Sequence, residues 1–465
     1  DCGERFGEPQ CTAEDIDRRV DEAHDMGVRQ IELINKFDNA LSGVAGDAGT
    51  TGIVVNQGNR QVTGHYWDMR TCPEEAADGH EHGIEGTQHD KTQLNPSDDT
   101  PLGEAGGDVL AAAILNEFGG LTSTAAPVYP PAPHCNQAGL TELGAHAVRR
   151  IIEKGIMFDP DHMSAAGQRD ALDLIEDEIV PEMRADAERE GRPAIVPGLV
   201  SSHSWANDVT YQRILHLGGH VAPMQASADG FADRWAERRR WAMELQPDDV
   251  DFGMGFGADT NGFASQPSPR QDPAEPLTYD ADGWQAPIGD VRVLQQTSGL
   301  QTYDINEDGV AHYGLYADWF RELELAADEQ HPDLGGGAQL RADMLRGPEH
   351  YLQMWERAVY GGGECVEDQS AFQFEDLHAL LGANVEGFLR AVGQPVDRDG
   401  AVYTYCGEDA DGETTPIDVV FDDEGDAVGS RPHDGDVRPD PADEDDPDDE
   451  QVADRFMASV RAVPA

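Results

Sequence analysis

The sequence predicts an α/β protein whose core is a (β/α)8 barrel of the TIM type, with the first barrel strands missing and with large insertions. Three short apolar runs carry this prediction, and each ends in polar residues. The runs are GIMFDPDHMS at 155–164, LVSSHS at 199–204 and GMGFGADTNG at 253–262. Buried strands that present polar side chains at their carboxyl ends are typical of parallel α/β barrels.

The composition indicates a folded and strongly acidic chain. Its 465 residues carry a formal net charge of −59, and hydrophobic residues make up 38%, which is enough for a core. Lysine occurs only at Lys36, Lys91 and Lys154. Such an acidic, lysine-poor surface is typical of proteins that fold in concentrated salt, where counter-ions screen self-repulsion. The alternative is an acidic mesophilic protein from a GC-rich genome. The charge argues against nucleic acid or an anionic membrane as a partner.

The cysteines and the apolar stretches bear on the cellular compartment. The longest purely apolar stretch, 109–115, is too short to span a bilayer, so we expect no membrane span. Six cysteines without a CxxC motif predict disulfides in an exported protein, and Cys2–Cys11 and Cys365–Cys406 are the pairs suggested by proximity in sequence. We therefore expect a secreted or cell-surface protein of a halophilic organism. Reduced cysteines in a cytoplasmic protein are the alternative.

The first elements of the chain are a helix and a strand. Thr12 and Asp15 predict a capping box, apolar residues follow at helical spacing, and Gly27 ends the helix. The stretch VRQIELIN at 28–35 then predicts a strand. A helix that precedes the first strand is the second half of a βα unit. We therefore expect the chain to be the C-terminal part of a longer protein.

Residues 37–138 form the first predicted insertion, which is rich in Gly, Asp, Asn and Pro and has a strand-like piece at 53–56. Within it, His80 and His82 form an HxH pair close to His89. Such a pair can bind metal, but the acidic residues before it cannot form a buried strand. A solvated loop is therefore the preferred interpretation.

Helices and strands alternate from residue 141 onward, which predicts a parallel sheet. The predicted helices cover 141–155, 165–190 and 231–243, and the predicted strands cover 156–159, 198–202, 221–224 and the run that ends at Asp259.

The remaining chain is predicted to contain a second insertion at 264–310. Helices at 348–360 and 374–392 end an incomplete barrel domain over 1–395. DINEDG at 304–309 resembles the start of a calcium loop, but Leu315 replaces the Glu expected at its twelfth position. An acidic turn is therefore preferred. A small β-like extension at 396–430 and a disordered acidic tail at 431–465 follow.

His162, His203 and Asp259 are the candidate site residues at the predicted strand ends. Neutral imidazole nitrogens ligate Zn²⁺, and two zinc ions in an intact site would activate water and polarise a carbonyl. The aspartate would take the proton of the nucleophile and pass it to a leaving amine. Catalysis by one of the serines at 201–204 is a weaker alternative, because the GxSxG elbow is missing.

These segments resemble the membrane (renal) dipeptidase family of zinc amidohydrolases. The similar segments are GLTELGAHAVRRIIEKGIMFDPDHMS, SSHSWA, GFGADTNG and LGANVEGFL, and NKFDNAL and YGLYADW also occur in a group of secreted relatives. The resemblance implies a (β/α)8 fold and a small amide or peptide substrate. It implies that His162 and His203 ligate the second zinc and that Asp259 is the catalytic acid/base.

Several features of that family have no counterpart here. Its HxD motif, which holds the first zinc, and its bridging Glu are missing, as expected if they lie upstream in a longer protein. The family's substrate-binding His falls near Asn35. The nearest candidate for its carboxylate-binding Arg is Arg213. These two residues are therefore candidate substrate-binding residues.

The sequence thus predicts a metal-dependent, dipeptidase-like amidohydrolase acting on a small amide or peptide. The alternative, of a different class, is a non-catalytic, secreted binding or surface module derived from a barrel. The amidohydrolase hypothesis requires an HxD motif and a strand-end Glu upstream in the parent protein, and the non-catalytic hypothesis does not.

Overall fold

The computed structural model describes residues 2–72, 84, 89–90, 129–190, 194–246, 252–260, 266–280, 282–286, 291–361, 372–373, 377, 380–408, 414–422, 424–432 and 438–439. Within these ranges the chain alternates helices and strands, as predicted for an α/β protein. None of the helices in these ranges is both long enough and apolar enough to cross a membrane.

The helices match most of the predicted ones closely. They are α1 (Ala13–Asp25), α2 (Gly49–Thr63), α3 (Glu142–Glu153), α4 (Ala165–Leu174, a π-helical turn at Ile175–Ile179, then Val180–Glu190), α5 (Asp208–His216), α6 (Ala228–Leu245), α7 (Ile305–Asp308), α8 (Tyr316–Gln330), α9 (Gly336–Tyr360) and α10 (Val385–Val392). The capping box at Thr12 and Asp15 is present as predicted.

The strands are short in the first half of the chain and longer near its end. They are β1 (Glu4–Arg5), β2 (Glu8–Pro9), β3 (Gln30–Glu32), β4 (Met69–Thr71), β5 (His134–Asn136), β6 (Met157–Asp159), β7 (Val200–Ser201), β8 (His220–Val221), β9 (Trp284–Gln285), β10 (Arg292–Val293), β11 (Thr297–Ser298), β12 (Gln301–Thr302), β13 (Phe372–Gln373), β14 (Asp397–Asp399), β15 (Val402–Glu408), β16 (Thr414–Phe421), β17 (Ala427–Pro432) and β18 (Arg438–Pro439).

Five parallel segments, in chain order, form the row that carries the predicted site residues. β3 pairs with β6, β6 meets β7 through Phe158 and Leu199, and β7 pairs with β8. Met224, just after β8, then bridges in parallel to Gly257 in an extended run that ends at Asp259. Among the described residues this row does not close, so the predicted TIM barrel is not confirmed there.

One face of this row packs against α1, α3 and α5. Phe158, Leu199 and Val221 from the strands share one core with the apolar stripes of these helices. The helix residues are Ile16, Val20, Ala147, Val148, Ile151, Ile152, Tyr211, Ile214 and Leu215. Burial of each large apolar side chain contributes about 1.5–3 kcal/mol, so this layer fixes the strand order.

Helix α9 covers the opposite face of the row. Met157 and Val200 pack against Met354 and Ala358 of α9. The hydroxyl of Tyr351 donates to Gln30 Oε1 at 3.0 Å. In a closed barrel this strand face would line the interior. Here a helix buries it instead.

The first insertion contains more regular structure than the sequence predicts. Residues 53–56 lie in α2, so their predicted strand is wrong. The buried positions of α2 include Asn56 and Asn59, which accept hydrogen bonds from the backbone N–H groups of Trp67 and Asp38. A helix that buries polar side chains lacks the apolar period by which helices are recognised.

Two disulfides are present in the described residues. Cys2–Cys11 forms as predicted, and Cys72 pairs with Cys135 beside the antiparallel strands β4 and β5. Cys365 lies outside the described residues, so its pairing with Cys406 stays a prediction. His80 and His82 also lie outside them.

The last part of the described chain is an antiparallel sheet in the order β14-β15-β16-β17-β18, with β13 parallel to β15. The sequence predicts only short β-like pieces here. The helix predicted over 374–392 is interrupted in its described part: a turn occupies 380–382, and Asn384 caps α10. Residues 440–465 of the predicted acidic tail lie outside the described residues.

A buried histidine pair joins the sheet to α9. The Nδ1 atoms of His220 and His350 lie 3.4 Å apart, and His350 also contacts Gln246 and Gly253. Burial, with His350 adding to it, lowers the pKa of His220 to about 3. The folded protein therefore holds His220 neutral at pH values where the unfolded chain begins to protonate it.

Acidification between about pH 6.5 and pH 3 should destabilise the protein through His220. In this range the unfolded state binds a proton at His220 and the folded state does not. The free energy of unfolding is therefore unaffected by His220 above pH 6.5 and decreases as pH falls. The limiting slope is about 1.4 kcal/mol per pH unit. The free energy of unfolding can be measured by denaturant titration in high salt at pH 7 and pH 5. It should change less between the two pH values in His220→Gln than in the wild type. The half-exposed His146→Gln should keep the wild-type dependence.

Candidate metal centre

His162 and His203 converge at the carboxyl ends of β6 and β7. Their Nε2 atoms lie 2.8 Å apart, and their ring centroids are 4.8 Å apart. His162 is 2% exposed and the side chain of His203 is 12% exposed. Zinc with Zn–N bonds of about 2.0–2.1 Å and tetrahedral angles separates two imidazole nitrogens by about 3.3 Å. A small adjustment of the rings would therefore admit an ion.

Glu32, the last residue of β3, joins the two histidines. One ligand atom from each of the three residues lies within 4.8 Å of the others. Burial raises the pKa of Glu32; His203 and a hydrogen bond from Asn35 oppose this rise, and the charges of Asp161 and Asp259 add to it. A half-buried carboxylate beside other carboxylates is stabilised by a cation.

Glu32 is not among the site residues predicted from the sequence, although it lies within the predicted strand at 28–35. The signal was available, because Glu32 is a polar residue near the end of a strand, as His162 and His203 are. The strand ends at Glu32 rather than at Asn35, and this shorter length places Glu32 at the edge of the sheet.

Asp161 orients the ring of His203. Its Oδ2 accepts the backbone N–H of His203 at 2.9 Å and lies 3.2 Å from Nδ1 of the same residue. Its Oδ1 accepts the Ser201 hydroxyl at 2.8 Å. Nδ1 also lies 2.8 Å from the Ser202 hydroxyl. A proton on Nδ1 can be shared between Ser202 and Asp161, and the Nε2 lone pair then faces His162. This is the arrangement in which carboxylates support metal-ligating histidines.

Two opposing effects set the pKa of His203. Burial lowers it, but the hydrogen bond and charge of Asp161, together with Glu32 and Asp159, outweigh burial and raise it. A raised pKa means that the proton competes with a cation for this ring. The negative groups that hold the proton would hold a metal ion equally well.

Asp159 lies buried beneath the site. Its Oδ2 accepts a hydrogen bond from Gln30 at 2.9 Å, and its Oδ1 accepts the backbone N–H of Asp161 at 3.1 Å. Burial, together with the charge of Asp161, raises the pKa of Asp159 well above its ordinary value. This carboxyl group ties β3 to β6 where the two strands deliver Glu32 and His162.

The strand ends hold unusual backbone conformations. His162, Ser204 and Asp259 have φ values of 65°, 59° and 45°, which side-chain-bearing residues rarely adopt. Contacts with other loops hold His162, whose carbonyl accepts the N–H of Ala45 at 2.8 Å and whose N–H donates to Trp205 at 3.2 Å. Strained residues of this kind cluster at functional sites.

One wall of the site is formed by Trp205 and Lys36. The rings of His162 and Trp205 stack with centroids 4.6 Å apart and 22° between their planes. Lys36 Nζ lies 4.7 Å from the Trp205 centroid and 2.9 Å from Asp47. The neighbouring Asn35 approaches Glu32, with 3.5 Å between Nδ2 and Oε2. The predicted substrate-binding residue Asn35 thus lies at the site, and its role stays a prediction.

The structure places Arg213 among buried helix contacts. It lies on α5, where Nη2 is 2.9 Å from Asp173 and Nε is 2.9 Å from Glu176. These ion pairs join α5 to α4 and already engage the guanidinium. The substrate-binding role of Arg213 stays a prediction, and this geometry gives it no support.

Asp259 is exposed and follows the fifth parallel segment. A Cβ built on Gly257, two residues earlier, would lie 2.4 Å from both Cα and Cβ of His203. Glycine therefore allows this segment to lie directly against the metal centre. The predicted catalytic Asp259 shares the sheet edge with both histidines, and its role stays a prediction.

Comparisons with known proteins add one structural neighbour. No family model matches the chain, and no curated protein sequence matches it. A solved structure of an amidohydrolase from Pseudomonas aeruginosa is similar over 47% of this chain and 57% of that one, with 16% identity and a TM-score of 0.25. The chain thus spans little more than half of that amidohydrolase. The finer resemblance to renal dipeptidases stays a prediction.

Replacement of Gly257 by Ala should disturb the metal centre. The added methyl group meets the backbone of His203, so that residue must move or the strand must separate. We expect zinc affinity, measured by competition with a chromophoric chelator in high salt, to fall at least about tenfold. Gly3→Ala, whose added Cβ meets nothing within 4 Å, should bind zinc as the wild type does.

Asp161→Asn should weaken metal binding without removing a ligand. Both carboxylate oxygens of Asp161 accept hydrogen bonds, whereas an asparagine amide has one oxygen acceptor. The variant therefore loses either the hydrogen bond from the Ser201 hydroxyl or the one from the His203 backbone N–H. Loss of such an outer partner typically costs 10–100-fold in metal affinity. The same chelator competition measures it, with the exposed Asp233→Asn as the control. An unchanged affinity in Asp161→Asn would show that Asp161 does not orient His203.

Proposed function

We propose that this protein is a zinc-dependent, dipeptidase-like hydrolase that cleaves an amide or peptide bond in a small substrate. The observation that supports it best is the convergence of Glu32, His162 and His203 at the ends of three adjacent parallel strands. The structural pair His220 and His350 also has facing imidazole nitrogens, but His162 and His203 have in addition a carboxylate at ligand spacing.

The donor set fits zinc. Two imidazole nitrogens and one carboxylate oxygen are the ligands of a common class of catalytic zinc sites, which keep a further position open. Glu32, His162 and His203 would hold one ion, which supplies a Lewis acid to polarise the scissile carbonyl. Among the described residues these three make up the cluster with ligand spacing, so the second zinc of the predicted pair has no such cluster there.

Asp259 is proposed as the residue that moves protons. Its exposed carboxylate stands at the same sheet edge as the histidines, within reach of a substrate bound there. It would accept a proton from the attacking water as the C–O bond forms. It would then deliver that proton to the amine nitrogen as the C–N bond breaks. The buried Asp161 is instead a positioning residue.

Asn35 and the Trp205 wall are proposed to orient the substrate. The Asn35 amide is directed toward Glu32 and can also hydrogen-bond a polar substrate group. Trp205 gives the site one flat side, and Lys36, which lies over that ring, is paired with Asp47.

The cellular setting is also part of the proposal. Two disulfides fit an oxidising compartment, and the acidic surface fits folding in concentrated salt. We therefore propose that the protein acts outside the cytoplasm of a halophilic organism. Experiments on it belong in high salt.

Zinc content tests the proposal directly. Purified protein equilibrated with zinc in high salt should retain about one ion per chain by elemental analysis. His162→Ala, His203→Ala and Glu32→Ala should each lower zinc affinity about 100-fold or more, because each removes a ligand. His146→Ala, which removes a half-exposed histidine paired with Asp17, should retain the ion. A wild-type protein that binds no zinc would contradict the assignment.

Hydrolysis of a dipeptide panel then tests the activity. Asp259→Asn should keep its zinc and lower kcat by about 10²–10⁴-fold, the usual contribution of a general acid–base group. If zinc-loaded wild type hydrolyses none of the panel, the non-catalytic binding module becomes the better account. If Asp259→Asn stays fully active, another group moves the proton.

A further inference from the structure

An aromatic cluster stands at the same edge of the sheet as the metal centre and has no part in it. Tyr313 and Tyr316 belong to the YGLYADW stretch, a 3₁₀ turn at Tyr313–Leu315 followed by the start of α8. With Phe256, Trp319 and Phe320 they form what we call the rim cluster.

The rim cluster is fastened to the ends of the parallel strands. The Tyr316 hydroxyl donates to Gln225 Oε1 at 2.9 Å, just after β8, and the Tyr313 hydroxyl donates to the Thr260 carbonyl at 2.7 Å. Trp319, which is buried, donates from its indole nitrogen to Ala226 at 3.0 Å. One hydrogen bond thus holds each tyrosine, and a third holds the neighbouring Trp319.

The outer rings of the rim cluster remain open to solvent. Tyr313 is 58% exposed and Phe320 is 37% exposed. The rings of Tyr313 and Tyr316 lie nearly parallel, at 15°, with centroids 5.9 Å apart. An aromatic ring that is already fixed loses little conformational entropy when it binds a partner. It therefore offers a ready surface for a flat apolar group.

A short segment of the chain connects the rim cluster to the metal centre. Gly257 lies against His203, and Thr260 follows three residues later, so the chain between them spans at most about 10 Å. Tyr313 is hydrogen-bonded to Thr260. Asp259, the proposed proton carrier, lies between these two anchors. A substrate that extends from the metal centre along this segment would meet Tyr313.

We infer that Tyr313 and Tyr316 form a specificity subsite that binds an aromatic side chain of the substrate. The inference rests on the proposed function and adds the substrate class: small amides and dipeptides with an aromatic residue. Offset stacking on Tyr313 favours a ring over an aliphatic side chain of similar area. The contact is made equally in the bound substrate and in the transition state, so it lowers KM and leaves kcat nearly unchanged.

The first test is a binding measurement that requires no turnover. Phenylalanine hydroxamate and alanine hydroxamate share the same metal-chelating group and differ only in the side chain. By calorimetry on the zinc-loaded protein in high salt, we expect the phenylalanine compound to bind about tenfold more tightly. Tyr313→Ala should remove this difference, whereas Tyr313→Phe keeps the ring and should preserve it. Leu300→Ala, at a fully exposed position elsewhere, should behave as wild type.

The second test is kinetic. Phe-Ala and Ala-Phe are compared with Ala-Ala, and we expect one of the aromatic dipeptides to show a KM about tenfold lower. Tyr313→Ala should raise that KM to the Ala-Ala value with little change in kcat. A merely structural role of Tyr313 would instead alter kcat or zinc content for all three dipeptides.

The outcomes separate this inference from the proposed function. If zinc is bound and the two hydroxamates have equal affinity for the wild type, the aromatic subsite is wrong and the metal centre stands. An equal preference in wild type and Tyr313→Ala would overturn it in the same way. If the protein binds no zinc, the proposed function fails, and the inference that rests on it fails too.

Discussion

The parallel pairing of β3, β6 and β7 is the constraint on which the candidate site depends. Each strand supplies one ligand from its carboxyl end, and each is only two or three residues long in its paired part. Such short strands gain little from their own hydrogen bonds. Their register is held by the apolar layer beneath, where Phe158 and Leu199 pack against α3 and α5. The geometry of the candidate site is therefore a product of core packing.

The electrostatics of the candidate site favour a bound cation. Glu32, Asp159 and Asp161 are three carboxyl groups at one buried edge of a protein whose net charge is already −59. Burial and mutual repulsion raise the pKa values of Glu32 and Asp159. Proton uptake by these carboxyl groups relieves the same repulsion. A divalent ion would remove the same cost while leaving the imidazole nitrogens neutral.

The sequence could reveal strand-end histidines because a buried apolar run followed by a polar residue is a local pattern. His162 and His203 were found in this way, and the structure brings them together. Glu32 follows the same rule, but the position at which its strand ends depends on pairing with β6. The ion pairs that engage Arg213 depend on which carboxylates of α4 face α5. Contacts between distant segments leave no local pattern, and α2 was missed because its buried positions include asparagines.

Helix α9 explains how an open row of parallel strands can be stable. A sheet whose second face stayed exposed would leave Met157 and Val200 in water. Instead α9 buries them with Met354 and Ala358, and it adds polar links through Tyr351, His350 and the Arg357 bond to the Gly218 carbonyl. The sequence predicts the second half of α9 as a helix of the barrel domain. What it could not show is that this helix covers the face that would line a barrel. A periodic apolar stripe indicates that one face of a helix is buried, but it does not identify the element that packs against that face.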